Sequence, residues 1–270
     1  MNTILISVLL LAMSPPPTQG QPTLLDAGYR EMYNLQFDEA HRSFRDWSSQ
    51  HPDDPLGPVS DAAAWLFAEF DRLHILQSEF FLHDNSFLAR QKPMPDPAVK
   101  QKFENALSKS QALAERTLAR EPENRNALFA TSLQHGLRAD YLALIEKRNL
   151  ASLREIKDGR ALAERLIAMD PNFGDAYLAI GVENYLLSLK PAPVRWVLRA
   201  GGAETSKDRG IDNLNRTAEH GHYLLPYARV LLAVAALRDH NVSRAKEILQ
   251  DLTKEFPKNP LYAEELARLP

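Results

Sequence analysis

Four times along this chain an amphipathic stretch closes on a proline just past its last turn, at Pro52, Pro122, Pro171 and Pro257. Two of the stretches are near copies, ALAERTLAREPEN at 112–124 and ALAERLIAMDPNF at 161–173. The other two read FDEAHRSFRDWSSQHPDDP at 37–55 and VSRAKEILQDLTKEFPKNP at 242–260. Proline has no N–H to give a helix and pushes the preceding residue out of the α region, so each one stops a helix and turns the chain into the next. Small residues recur inside these stretches (Ala40, Ala114, Ala163, Ala245), where a partner helix can approach closely. From about Leu24 onward apolar residues return at spacings of three and four, without the alternation of a strand. Pro97 after Asp96 predicts a first-turn proline behind an N-cap, and Ser152-x-x-Glu155 predicts a capping box that opens a helix. The pattern predicts an all-α chain of paired helices.

Two short motifs sharpen this. Tyr177-x-x-Ile180-Gly181 resembles the W-x-x-L-G opening of a tetratricopeptide (TPR) repeat, and Ala40-x-x-x-Phe44 followed by Pro52 resembles its close. The chain thus resembles TPR proteins, most sharply over 24–55, 158–186 and 225–260 and weakly over 56–110. The resemblance implies an α-solenoid, antiparallel helix pairs stacked into a right-handed superhelix whose inner surface binds peptides or protein segments. The prolines are not spaced at multiples of the usual ~34 residues. The expected array is therefore irregular, with roughly five helix pairs, a capping helix at 260–269, and insertions near 81–98 and 190–203. A fainter likeness lies in GVENYLLSLKPAPVRWVLRAGGAETSKDRGIDNL at 181–214. It is similar to a segment of the inclusion-body clearance family of TPR proteins and to exported bacterial TPR proteins. It implies a helical insertion there and brings no catalytic residues.

Residues Ile4 to Met13 form an uninterrupted apolar run, followed by small Thr18 and Gly20. The run is about half the length of a membrane span and suits the apolar core of a secretory signal, although no Lys or Arg precedes it. We expect a signal peptide over 1–20, a single TPR-like solenoid over 21–270, and a periplasmic or secreted protein. The chain has no cysteine, which excludes disulfides, thiolate chemistry and a lipidated cysteine anchor. A net charge of −3 supplies no global basic field for nucleic acid.

In the TPR resemblance the first helix of each pair lines the concave face. That implies groove positions at Tyr29, Met32 and Tyr33, at Phe129 and Leu133, at Asp175, Leu178, Val182 and Tyr185, and at Tyr227, Val230 and Val234. Tyr, Met and aliphatic side chains together suit an apolar peptide; packing between helices is the plainer role for many of them. The 190–203 insertion carries Arg195, Trp196 and Arg199. Arg195 and Arg199 stand one turn apart, with Trp196, Val197 and Leu198 free to pack inward. A short plug for the solenoid is preferred there over a partner contact, and three cations are few for membrane binding. No membrane contact is expected beyond the N-terminal segment.

Glu219, His220 and His222 could begin a metal site, as could His83 and Asp84, but no further ligand stands at a convincing spacing. Helix-end histidines of this kind are ordinary caps, and no metal or cofactor is expected. P-loop, dinucleotide, G-x-S-x-G and H-E-x-x-H signatures are missing. An enzyme built on His83, Asp84, Glu183 and His220 would need the fold to gather them. The expected function is a non-catalytic, exported TPR scaffold that binds a protein or peptide in the cell envelope. The alternative is a small-molecule or lipid carrier with a cavity inside the solenoid.

Overall fold

A computed structural model describes residues 22–76, 93–200 and 202–270. Among these residues there are twelve α-helices and no strand. In chain order they are α1 (Leu24–Tyr33), α2 (Phe37–Gln50), α3 (Leu56–Arg72), α4 (Pro97–Arg120), α5 (Arg125–Asp140) and α6 (Asn149–Met169). There follow α7 (Tyr177–Ser188), α8 (Ala192–Ala200), α9 (Lys207–His220), α10 (Leu225–Arg238), α11 (Val242–Glu255) and α12 (Pro260–Arg268). A π-helical turn, Tyr141–Ile145, extends α5, and a 3-10 turn, Gly174–Ala176, leads into α7.

The helix ends follow the sequence logic closely. Helices α2, α4, α6 and α11 stop at Gln50, Arg120, Met169 and Glu255, each just ahead of its proline. Asp96 caps α4 from its side chain with Pro97 in the first turn, and Thr23 with Asp26 forms a reciprocal capping box on α1. The predicted box at Ser152 is not formed. Helix α6 already begins at Asn149, so Ser152 lies inside it and is buried. Its partner Glu155 pairs instead with His135 Nδ1 on α5, at 2.7 Å. An interhelical hydrogen bond has claimed the side chain that a cap would have used.

Helices pair as α1/α2, α3/α4, α5/α6, α7/α9 and α10/α11, each pair packs on the next, and α12 closes the stack against α11. Among the described residues the fold is an all-α, TPR-like solenoid of five pairs with a C-terminal cap, and α8 is inserted within the fourth pair. Ala40, Ala114, Ala163 and Ala245 are all buried where helices meet, as their size required. Glycine allows the closest crossing: a Cβ on Gly210 of α9 would sit 2.6 Å from the backbone nitrogen of Tyr185 on α7. Glu204, just after α8, ties the insertion to the body. It reaches Arg160 of α6 at 3.4 Å and Arg209 of α9 at 3.1 Å, and accepts from Asn184 Nδ2 of α7 at 3.3 Å. The second predicted insertion, near 81–98, falls largely outside the described residues.

The solenoid does not stay open. Its first pair folds back onto the loops that precede α10 and α12. Tyr33 Oη donates to the Tyr223 carbonyl at 3.0 Å, Asn259 Nδ2 donates to the Tyr33 carbonyl at 2.9 Å, and the Lys258 amide donates to Asn34 Oδ1 at 3.0 Å. His222 Nε2 meets Asp26 beside these contacts.

Candidate functional site on the concave face

The first helices of the pairs, α1, α3, α5, α7 and α10, turn their inner sides toward one another. Because the first pair closes on the last, much of that inner side is filled by rings. Tyr29 stacks on Tyr223 at 4.7 Å between centroids, and Tyr223 lies 6.4 Å from Phe129. Phe129 meets Phe173 edge-on at 5.3 Å, Tyr33 meets Phe256 at 5.5 Å, and Phe67 meets Tyr227 edge-on at 5.6 Å. Aromatic pairs of this geometry add stabilisation beyond the area they bury.

Of the predicted groove residues, Tyr29, Met32, Tyr33, Phe129, Asp175, Leu178, Tyr185 and Val234 are buried in the folded chain. They pack between helices rather than facing a partner. Leu133, Val182, Tyr227 and Val230 remain half-buried, two of them on α10 and one each on α5 and α7. Burial pushes the hydroxyl pKa of Tyr29 up, partly offset by the hydrogen bond it accepts from Ser60 at 3.0 Å. Burial likewise drives those of Tyr33 and Tyr227 well above the ordinary range.

Asp175 has a structural task. Its carboxylate accepts the amides of His222 at 2.9 Å and of Tyr223 and Leu224 at 3.0 Å each, holding the loop that receives α1. Burial raises its pKa, and the three amides oppose that rise. Gly174 beside it admits the same loop; a Cβ there would lie 2.2 Å from the His220 carbonyl oxygen.

Sequence reasoning missed several participants. Tyr223 and Phe173 stand in loops, where no periodic pattern marks an inner face, and Phe67 lies within α3. Asp140, the last residue of α5 before the π turn, was also missed. Its carboxyl is pushed up to about 7 by burial, and it raises the pKa of Tyr227 in turn. It keeps a sliver of surface, but no hydrogen-bond donor reaches its side chain among the described residues. On the other side of the first two pairs, His41 Nδ1 meets Asp61 at 2.6 Å, and the His41 ring stacks on Trp65 at 3.7 Å. Lys102 lies over the far face of this aromatic group, 4.3 Å from the Trp65 ring. His41 Nε2 is buried with no hydrogen-bond partner among the described residues.

The residues considered for metal or acid–base chemistry are not drawn together. Glu183 is buried and held by Arg160 at 3.4 Å, with its pKa raised by burial against that cation. His220 stands exposed beside Glu219, and His222 is engaged with Asp26. No group of three potential metal-ligating side chains occurs among the described residues. His83 and Asp84 lie outside those residues.

The insertion is oriented against expectation. Arg195 Nη1 donates to the carbonyls of Ser188 at 3.3 Å and Lys190 at 3.0 Å, and Arg199 Nε donates to Thr205 Oγ1 at 2.6 Å. Arg195 is thereby half-buried, whereas Arg199 stays exposed and Trp196 is 75% exposed. No described helix is long and apolar enough to cross a membrane.

No model of a known protein family and no curated protein matches this sequence. Among solved structures the chain is similar to a thermophilic TPR protein of Thermus thermophilus, with 13% sequence identity and a TM-score of 0.47 over 90% of this chain and 95% of that one. The architecture itself is defined by the helix pairs of this chain.

Proposed function

We propose that the protein is a non-catalytic helical scaffold, exported to the cell envelope, that binds a protein or peptide through the part of its concave face the fold leaves open. One observation carries this reading. Leu133, Val182, Tyr227 and Val230, on three successive inner helices, keep partial exposure while the inner positions around them are filled. Apolar side chains held on rigid helices cost little ordering when a partner covers them, and burial there contributes roughly 25 cal/mol per Å². Export rests on the apolar run Ile4 to Met13 and the small residues after it. A carrier of small molecules would need free volume between α1 and α10, where Tyr29, Tyr33, Tyr223 and Phe129 pack ring to ring. That observation favours the scaffold.

The test is photo-crosslinking in the native cell from a probe placed at Val182 or Val230, with a probe at exposed Glu247 on α11 as control. A discrete crosslinked polypeptide from the first two positions, lost when Leu133→Asp is added, is the expected outcome. Equal labelling from all three positions, or no adduct at the inner two, overturns the reading. Fractionation of the same cells checks export: a product retained in the cytosol removes the envelope assignment while leaving the groove assignment to the crosslinks.

A further inference from the structure

Helix α8 leaves Pro193, Val194 and Trp196 exposed together with Arg199, while Arg195 and Leu198 are half-buried. At about 3.6 residues per turn, Arg195 and Arg199 share the face that bonds Ser188, Lys190 and Thr205. Pro193 and Val194 lie more than about 100° around the helix from Arg199, and Trp196 lies about 60° from it, on the exposed side. Val194 is 44% exposed, and Pro193 is exposed as well.

We propose that α8 docks on an anionic lipid surface, with Trp196 and Val194 entering the headgroup zone and the exposed Lys190 and Arg199 supplying positive charge at the lipid phosphates. Charge supports this occupant. Residues 187–203 hold Lys190, Arg195 and Arg199 and no acid. The hydrogen-bond partners of the two arginines are neutral carbonyl and hydroxyl oxygens, so their charge is anchored without being cancelled. Lys190 is exposed.

Size supports it too. One short helix is too narrow for a stable contact between two copies of the chain, which takes roughly 800 Å² from each partner. A lipid surface demands no matching shape, and tryptophan is the side chain best suited to its polar–apolar boundary. The cations alone were too few to predict membrane contact from sequence. The exposed Val194 and Trp196 supply the second half of an interfacial helix.

The test uses the full chain in flotation with vesicles of phosphatidylcholine containing phosphatidylglycerol, beside vesicles of phosphatidylcholine alone. Binding to the anionic vesicles that weakens with added salt is expected. Trp196→Ser is expected to lower the bound fraction about tenfold, while Trp196→Phe keeps most of it. Both variants should unfold at the wild-type temperature, since the indole makes no buried contact. The inference is overturned if Trp196→Ser binds as well as wild type, which would leave the apolar N-terminal run as the lipid-binding element. It is equally overturned if neutral vesicles bind as well as anionic ones. A dimer in solution that Trp196→Ser disperses would also overturn it, by showing that a second copy covers the helix.

Discussion

The Tyr33 hydroxyl donates to the Tyr223 carbonyl at 3.0 Å, although 190 residues of sequence separate them. A solenoid in which each pair touched only its neighbours could not make this bond. The first pair and the loop before α10 meet because the stack curves tightly enough to return on itself, and Tyr29, stacked on Tyr223, seals the junction. Tyr33→Phe should cost ~1 kcal/mol, the net value of one hydrogen bond. Tyr223→Ala should cost about 3 kcal/mol, because it removes the ring lodged between Tyr29 and Phe129. Denaturant titration measures both, and small-angle scattering separates closure from plain stability. The radius of gyration should grow in Tyr223→Ala as the first pair swings away. An unchanged radius in a weakened protein would mean that the other contacts hold the ring shut without it.

The crossing of α7 and α9 gives a second prediction. Gly210 brings the α9 backbone so close to Tyr185 that an added Cβ would stand 2.6 Å from a backbone nitrogen and 2.9 Å from the Cα. No flexible side-chain end is there to yield, so the helices themselves must part. Gly210→Ala should destabilise by roughly 1–3 kcal/mol through overpacking, well beyond the gain alanine brings to an isolated helix. A thermal melt at or above the wild-type midpoint would show that α9 can shift without cost.

Much of this architecture was written in the sequence, and the reasons are local. A proline acts on the residues beside it, so Pro52, Pro122, Pro171 and Pro257 marked four helix ends without reference to the rest of the fold. Buried alanines and the TPR-like motifs then gave the pairing. The filled concave face was not legible, because curvature is the sum of small angles between successive pairs. No single residue reports that sum. The inner positions of α1 could be named, yet nothing in Tyr29 or Tyr33 says that a loop far along the chain will cover them. The face that α8 turns outward escaped for a similar reason. Its pattern shows two sides, but which side meets the body depends on the carbonyls of Ser188 and Lys190 that attract Arg195.

Asp175 shows how a residue placed in the groove by resemblance can serve the closure instead. Three consecutive loop amides converge on its carboxylate. Asp175→Ala leaves these donors without their acceptor and should cost about 3 kcal/mol. Asp175→Asn keeps one acceptor oxygen and should cost less. Hydrogen exchange reads the mechanism directly: the amides of His222, Tyr223 and Leu224 should lose protection together in Asp175→Ala. If they exchange as in wild type, the loop is held by its other contacts and the carboxylate is dispensable.

Asp140 sets a pH dependence of definite sign. Burial lifts its carboxyl from the ordinary value of 3.8 to about 7, with no donor or cation among the described residues to offset the cost of charge. The folded chain therefore holds this proton more tightly than the unfolded chain does. As pH rises from about 4 to about 7 the unfolded state gives up the proton first, and folding stability falls; above about 7 the cost is complete and the slope vanishes. Asp140→Asn removes the ionisation. Relative to wild type it should gain on the order of 2 kcal/mol at pH 8, less than the full shift would give because the side chain keeps some contact with water, and should gain almost nothing at pH 4. Asp26, Glu146 and Glu204, whose carboxyls are held below their usual range, impose the opposite slope at more acid pH. Their contribution is common to both proteins and cancels in the difference. Urea titrations of the pair at a series of pH values give that difference directly, and a gap that stays flat from pH 4 to pH 8 would show that Asp140 titrates as an ordinary surface carboxyl.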